Sequence, residues 1–472
     1  MEPFHLARFA SGANGTRKSS HEVDASGHIH NCQTCGTIEE GYDGQMYVQR
    51  LLECRKNSGG VLSGRARRWS TPFLEKLRNQ LEHAGYYRES LEVCRTLGEL
   101  YQAGVEGTSS KKLAGLAASL HHLGIRLHGL ENWHLANEAH QEAVNIRRRL
   151  ATQNTERHFS DLSVSLNNLS ITLRRLGESA QADEVEEENV TLWRTLSNKN
   201  KNLYSSQLAC VLSTRGVRLN TSGRSSDAVI MEEEAVKTWR PLHSDNPNHF
   251  APSLCTSLHN QGLYLYNLGK YSEAVKVAEE AVSIRRQLVA NFPYSHTPEL
   301  ATYLFTLAIY IKKSGDSAWR ALEVAEEALE LRRKLVARVP YLYTPDLAQS
   351  LHNLASYHHD INQTSEAIKM EKEVVELWRQ HRVNTPRGFT SDLALSSFNL
   401  GTYLNAAGQY AEAVEAGEDA VRFLREVAAE DCPSFVPGLA ESLRQLAVFL
   451  RNAGDFERAG VIEGEVEELG IL

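Results

Sequence analysis

The sequence predicts an all-α protein, a solenoid of about nine stacked helix-turn-helix units. Three observations predict it. The stretch SLHNLAS at Ser350–Ser356 is spelled nearly again as SLHNQGL at Ser257–Leu263 and as SLNNLSI at Ser165–Ile171. Such matches recur every 46 residues, with a single step of 47. Inside each interval, apolar residues fall at helical spacing in two successive stretches. A catalytic motif is needed once, whereas a motif repeated at a fixed interval is architecture.

Ahead of the array, residues 1–70 read as a mostly disordered segment. Residues 1–46 are rich in Gly, Ser, Asn and His and lack periodicity. Met46–Cys54 (MYVQRLLEC) predicts a short helix near 46–55 that caps the first unit, followed by a basic linker, Ser58–Ser70. Cys32 and Cys35 form a CxxC just after His28 and His30. A zinc knuckle needs a second compact ligand pair, and only the isolated Cys54 or His21 is left, so the pair reads as two thiols in a tail. A redox CxxC needs a βαβ context that the sequence lacks.

The array proper covers 71–472. With the Ser of SLHN as position 0, anchors stand at Phe73, Ser119, Ser165, Val211, Ser257, Tyr303, Ser350, Ser396 and Ser442. The extra residue lies between Gly315 and Ala328. Leu occupies +1 in eight units, with Ser397 the exception, and +4 in seven. Position +5 is small in eight units and +8 is Leu or Ile in eight, His358 being the exception. Positions 1, 4, 5 and 8 share one face of a helix, here called A, and the small residue admits a partner helix at close range. At +12 come seven Gly, with Glu131 and Asn362 in the other two units. Gly, and after it Asn, suits the left-handed residue that ends a helix. A second amphipathic helix, B, follows at once, as in Tyr271–Leu288, with Ala274 and Ala281 as its small packing positions. The short connection makes A and B antiparallel neighbours.

A loop is expected to join one unit to the next. Thr297-Pro298-Glu299-Leu300 and Thr344-Pro345-Asp346-Leu347 read as N-cap, first-turn proline, acid and core leucine. Leu holds −3 in eight consecutive units, and rings or His hold −7: His158, Tyr204, Phe250, His296, Tyr343, Phe389 and Phe435. These rings are expected to plug the gap between adjacent hairpins. The last unit ends in EGEVEELGIL, a Glu-rich helix suited to a solvated cap, so the array is expected to finish here.

The order Leu, small residue, long apolar residue, Gly turn, Ala and Ala resembles the tetratricopeptide repeat (TPR). Ser165–Val185 and Ser257–Val282 match it best. The long period is similar to the kinesin light chain subtype, and to arrays attached to nucleotide-binding or caspase-like signalling modules in fungi and bacteria. The resemblance implies a right-handed α-solenoid. Residues 1–72 show no heptad coiled coil of the kinesin light chain kind, and the chain has no GxxxxGK[ST] stretch.

Positions +2, +3, +6 and +10 of helix A point away from its core face, and the resemblance implies that this side lines a concave surface. Rows +2 and +3 are mostly neutral hydrogen-bonding side chains. Asn offers a donor and an acceptor together, matching a peptide amide. By resemblance to kinesin light chain-like arrays, the candidate peptide-binding residues are Asn168, Asn260, Asn353 and Asn399, with His259 and His352 beside them; the bland reading is that they are solvated or bond neighbouring helices. Helix B carries an acid at +23 and an Arg at +29 in seven consecutive units, from Glu142 and Arg148 to Asp419 and Arg425. Six residues apart is not one face, so the pair does not bridge within its own helix; the acid is expected to meet an Arg of the next unit and the Arg to offset the helix C-terminal dipole, with a ligand-binding Arg ladder as the alternative.

Composition excludes several classes. A net charge of −8 gives no footprint for nucleic acid. No apolar run of about 18 residues suits a membrane span, and the N-terminus lacks a signal-peptide core. The seven irregularly spaced Cys read as reduced thiols of a cytosolic or nuclear protein, and a cytoplasmic location is expected. His121-His122 and His358-His359 are adjacent pairs that diverge by about 100° on a helix, poor geometry for chelation. No metal, cofactor or catalytic residue is expected, and the anchor serines are structural. The expected function is a protein-interaction scaffold gripping a peptide or helix of a partner protein. The alternative is the sensor half of a signalling system whose effector module sits elsewhere.

Overall fold

The computed structural model describes residues 71–83, 85–102, 110–153, 155–384, 389–428 and 436–469. The expectations for residues 1–70, including the helix near 46–55 and the Cys32/Cys35 pair, lie outside these residues, as does Phe435. The described residues form eighteen α-helices and no strand. In chain order they are α1 (Thr71–His83), α2 (Tyr87–Gln102), α3 (Ser110–Gly129), α4 (Trp133–Gln153), α5 (Thr155–Arg175) and α6 (Ser179–Lys199). Then come α7 (Lys201–Thr221), α8 (Ser225–Asp245), α9 (Pro247–Asn267), α10 (Tyr271–Asn291), α11 (Pro293–Ser314) and α12 (Ala318–Val336). The last six are α13 (Pro340–Asp360), α14 (Thr364–Asn384), α15 (Thr390–Ala406), α16 (Tyr410–Ala428), α17 (Val436–Asn452) and α18 (Phe456–Glu468). Odd-numbered helices are the A helices and even-numbered ones the B helices of nine repeats, an all-α solenoid. They divide into two compact blocks, one ending at Leu176 and one covering Gly177–Leu472.

The 46-residue period has a simple anatomy. In the fifth repeat, helices α9 and α10 are 21 residues each, joined by Leu268–Lys270, and Phe292 alone separates α10 from α11. Gly269 closes the turn at φ 73, with Lys270 N donating to Leu265 O at 2.9 Å. All nine +12 positions take this left-handed conformation, including Glu131 (φ 59) and Asn362 (φ 63). The one extra residue is absorbed in the turn of the sixth repeat, where Gly315 and Asp316 precede the N-cap Ser317.

The joints correct the sequence reading. Thr297 and Thr344 are not N-caps, and no loop precedes them. The helices start five residues earlier than that reading, with Pro293 and Pro340 at their first positions and Phe292 and Val339 as caps. One extended residue (φ −138, ψ 70 at Phe292) turns the chain from B to A. Thr297 and Thr344 instead donate back to the carbonyls of Pro293 and Pro340, at 2.6 and 2.7 Å. Pro298 and Pro345 lie inside the helix, where each forfeits one backbone hydrogen bond. Two residues further on, Leu300 and Leu347 are buried against the core.

Packing follows the repeat. The eight Leu at +1 are at most 1% exposed. The small residue at +5 makes room for specific neighbours: a Cβ on Gly124 would stand 2.5 Å from the His140 ring, and one on Gly401 2.7 Å from Phe449. The −7 rings seat on a tryptophan of the preceding B helix, with centroids 6.2 Å apart for Trp193 and Tyr204, 5.9 Å for Trp239 and Phe250, and 5.0 Å for Trp378 and Phe389. In other repeats an arginine holds that tryptophan's position. Arg147, Arg285 and Arg332 are buried and reach the anchor of the next repeat. Arg332 donates to Ser350 Oγ and Asp346 O, both at 2.6 Å. Arg147 bonds Ser165, and Arg285 donates to the Tyr303 hydroxyl at 3.2 Å. The anchor serine is thus a hydrogen-bonding station between repeats.

On the outer side, the +29 arginines meet the +23 acids of the following B helix. Arg240–Glu280, Arg333–Glu373 and Arg379–Asp419 lie at 2.8, 2.8 and 2.7 Å. Arg286–Glu327 and Arg425–Glu465 lie at 2.5 Å.

Candidate functional site

Each A helix is fixed by its buried Leu face, so the rows at +2, +3 and +6 have determined directions. Row +2 lies at the seam with the next A helix rather than facing away. Ser213 Oγ meets Ser257 Oγ at 2.7 Å, and the His259 ring stacks on Tyr303 at 4.5 Å with planes 12° apart. Side-by-side packing brings +2 of one helix against the anchor of the next. Burial, then the nearby Arg285, holds the His259 pKa down at about 4.

Row +3 is exposed at Lys76, His122 and Thr214 and half-buried in the other six repeats. Asn168, in the first block, faces His121, with Nδ2 and Nε2 3.4 Å apart. Asn260 Nδ2 donates to Glu232 Oε1 at 3.1 Å. Asn353 and Asn399 make no hydrogen bond among the described residues, so their amides are open. His352 Nδ1 lies 3.0 Å from Glu371 Oε1. Burial works against the imidazolium there, but the Glu371 carboxylate outweighs it and the His352 pKa is raised.

Behind this face stand buried acids that sequence reasoning missed. Glu186, Glu232 and Glu371 all occupy +21 of helix B and are at most 4% exposed. Glu186 accepts from Arg218 at 3.0 Å, and Glu371 faces His352. Glu232 has neutral partners: Ser213 donates to it at 2.8 Å, beside the Asn260 amide. Burial raises its pKa to about 6, against the pull of the donors Asn260, Ser213 and Ser257. The signal for these acids was a carboxylate at a position that holds Cys94, Ala278 or Gly417 in other repeats.

Row +6 is mostly apolar. Val217 and Val448 are 44% and 42% exposed, and Leu263 and Ile309 are half-buried. The A face of the second block therefore sets a row of amides and hydroxyls beside an apolar row. Charges near it include Lys312, paired with Asp360 at 2.6 Å and lying over Tyr357, the exposed Lys313 at +10 of α11 and Arg444 at +2 of α17. On the other side of the stack, a pocket of about 190 Å³ has a floor of Val282, Leu307, Ile311 and Val324. Its charged rim is internally paired, Arg320 with Glu279 and Arg286 with Glu327.

Among the described residues, no group of three or more His, Cys, Asp or Glu is placed to hold a metal ion. Cys94, Cys210 and Cys255 are free thiols. No described helix is long and apolar enough to cross a membrane.

A tetratricopeptide repeat family model matches residues 116–151, 162–200, 254–294, 347–382 and 399–431. No curated protein matches the sequence significantly. Among solved structures, BtubC (BKLC) from P. vanneervenii is 17% identical over 51% of this chain and 89% of that one, with a TM-score of 0.41. A putative kinesin light chain with nearly identical TPR-like repeats from Podosopora anserina is 24% identical over 46% and 96%, at 0.38. A signal transduction ATPase with a tetratricopeptide repeat sensor from Pyrococcus horikoshii is 12% identical over 84% and 52%, at 0.48. This chain thus spans about half the length of that last protein.

Proposed function

The chain is a tetratricopeptide repeat protein, and from that premise we propose that it is a non-catalytic scaffold that grips a segment of a partner protein on its A-helix face, in the cytoplasm. The observation that carries this reading is the pair Asn353 and Asn399. They occupy equivalent positions on successive A helices, and their amides are open, with Ser356 and Thr402 at +6 of the same two helices. Asn260 extends the set through its Oδ1 atom, His259 and His352 shape the adjoining wall, and Asn168 holds the same position within the first block. An Asn amide both donates and accepts, so it can hold a peptide backbone without reading side chains. The net charge of −8 and the neutral rows favour protein over nucleic acid as the partner.

Affinity capture followed by peptide mapping tests the reading. The parent protein should retain a discrete partner segment. The Asn353→Ala/Asn399→Ala double variant, with an unchanged helical signal, should lose it. Equal capture by both proteins would remove the A face from the account. The sensor reading instead predicts ligand-dependent oligomerisation, which sedimentation measures.

A further inference from the structure

The joints on either side of the sixth repeat differ from those before them in the second block. Asn200 stands at the joint before α7 and Asn246 at the joint before α9. Asn200 caps its helix, accepting from Leu203 N at 3.2 Å. The same place is held by Phe292 before α11 and Val339 before α13, whose side chains have no acceptor to cap with. Pro293-Tyr294 and Pro340-Tyr341-Leu342 follow them. Phe292, Tyr294, Val339, Tyr341 and Leu342 are 47–76% exposed. The Arg338 guanidinium lies 4.6 Å from the centre of the Tyr294 ring, so the two joints form one surface. With about 150–250 Å² for each full ring, that surface exposes roughly 500 Å² of apolar area. An apolar patch of this size is near the upper end of what a lone soluble protein carries, and such patches are often functional. These joints give up a helix cap and add apolar surface to water. Both changes cost the isolated chain stability, which points to a contact outside it.

We propose that this surface joins two copies of the chain in a weak, isologous dimer, whose twofold axis sets the Phe292–Tyr294 joint of one copy against the Val339–Leu342 joint of the other. The two joints are spelled alike, Phe-Pro-Tyr and Val-Pro-Tyr, and stand one repeat apart. A twofold axis between them exchanges them, so each contact is made twice and the assembly closes at two copies. The area agrees. Roughly 500 Å² from each copy gives about 1,000 Å² in all, the lower bound for a specific interface and the size of a transient one. The composition agrees as well, because Tyr, Phe and Arg are the residues enriched at interface cores. The Arg338 guanidinium is weakly hydrated and already lies against a ring, so covering it costs less than covering an ammonium. The charges next to it on α12, Arg333 and Lys334, are paired with Glu373 and Glu330. The five apolar side chains stand out into solvent instead of lining a cleft, which suits a flat mate and not an inserted peptide. The contact lies at the joints, outside the A-face rows, and is independent of the scaffold reading.

Sedimentation of the full chain, with no ligand or partner added, tests the proposal over about 1 to 300 µM. The parent should pass from monomer to dimer with a Kd of about 10–100 µM, as a small interface gives. Tyr294→Ser/Leu342→Ser changes two exposed side chains and should keep the helical signal while weakening the dimer about tenfold or more. High salt should not weaken the parent dimer, because its contacts are apolar. A photo-crosslinker at position 294, in a mixture of isotope-labelled and unlabelled copies, should give mixed-isotope products at residues 339–342. A parent that stays monomeric throughout would overturn the proposal, as would equal association of the double variant. Growth beyond a dimer would mean an open contact and overturn the twofold arrangement, and so would cross-links elsewhere than 339–342. Dissociation by salt would place the contact on the charged B-helix side and also overturn it. None of these results changes what the capture experiment reads, so the scaffold reading stands or falls separately.

Discussion

Two buried polar residues carry the sharpest consequences of this fold. Glu232 titrates at about 6 in the fold, against an ordinary 4.5, because it is buried among neutral donors. As pH rises, the unfolded chain loses this proton first, so stability declines between about 4.5 and 6 and stays lower above that. The shift corresponds to about 2 kcal/mol. Glu232→Gln keeps an acceptor for Asn260 and Ser213 and removes the titration. It should raise stability at pH 8 by about 1–2 kcal/mol and have little effect at pH 4.5, as read by denaturant titration at the two pH values. Neutral His121 and His259, held near 4, bias the parent the other way below 6.5, and the difference between variant and parent cancels them. An equal effect at both pH values would contradict the assignment. Ser397 stands where eight repeats have Leu; it is 2% exposed and its Oγ has no partner. Ser397→Ala should stabilise the protein by about 1 kcal/mol, since it removes an unsatisfied buried hydroxyl. Ser397 was legible in the sequence as the one departure from a Leu column. Glu232 was not, because a Glu on an amphipathic helix reads as solvated until the neighbouring A helix is placed over it.

Elements are joined by two kinds of arginine that look alike in the sequence. Arg286 pairs with Glu327 on the exposed side of adjacent B helices and is itself about half exposed, 51%. Arg332 is one residue before the equivalent position in the next repeat, is 1% exposed, and lies over Phe305 at 4.3 Å. Burial lowers its pKa to about 10, still charged at neutral pH. Arg286→Ala should lower stability by about 0.2–1 kcal/mol, because water and salt screen the pair. Arg332→Ala should cost about 3 kcal/mol or more, since it leaves Ser350 and the Asp346 carbonyl unpartnered and opens a void. Chemical denaturation of the two variants separates them, and comparable losses would contradict the distinction. Periodicity alone located the +29 ladder and a pairing between units, but it set each acid against an Arg of the next unit, whereas Glu280 and Glu373 pair with Arg240 and Arg333 of the preceding one. The +28 arginines were missed because that column also holds Trp193, Trp239, Trp378 and Leu424, so it shows no uniform chemistry.

At the scale of the molecule, each hairpin is stabilised mainly by its neighbours, and cooperativity should extend over a few repeats. Leu258, fully buried at +1 of α9, tests this in the second block. Leu258→Ala should cost about 2–5 kcal/mol locally. Amide exchange should quicken most in α7–α12, with α17 and α18 much less affected. A uniform loss of protection over the block would contradict a nearest-neighbour account.

Taken alone, the sequence determined the repeat, its period, its Leu face and its nine left-handed turns. Each of these depends on local helical geometry or on backbone conformation at one position, and recurs often enough to be counted. Helix starts escaped it, because a Thr-Pro-acid string describes a first turn equally well wherever the chain places it. Only the tertiary structure showed how short the joints are, Phe292 alone before Pro293 and Ala337–Val339 before Pro340, so that these prolines begin the helices. It alone distinguished seam from open face, engaging His259, His352 and Asn260 with neighbouring helices while Asn353 and Asn399 stay open. That distinction depends on which side chain of the next repeat stands opposite, a contact between residues some 20 to 47 positions apart that no local pattern encodes.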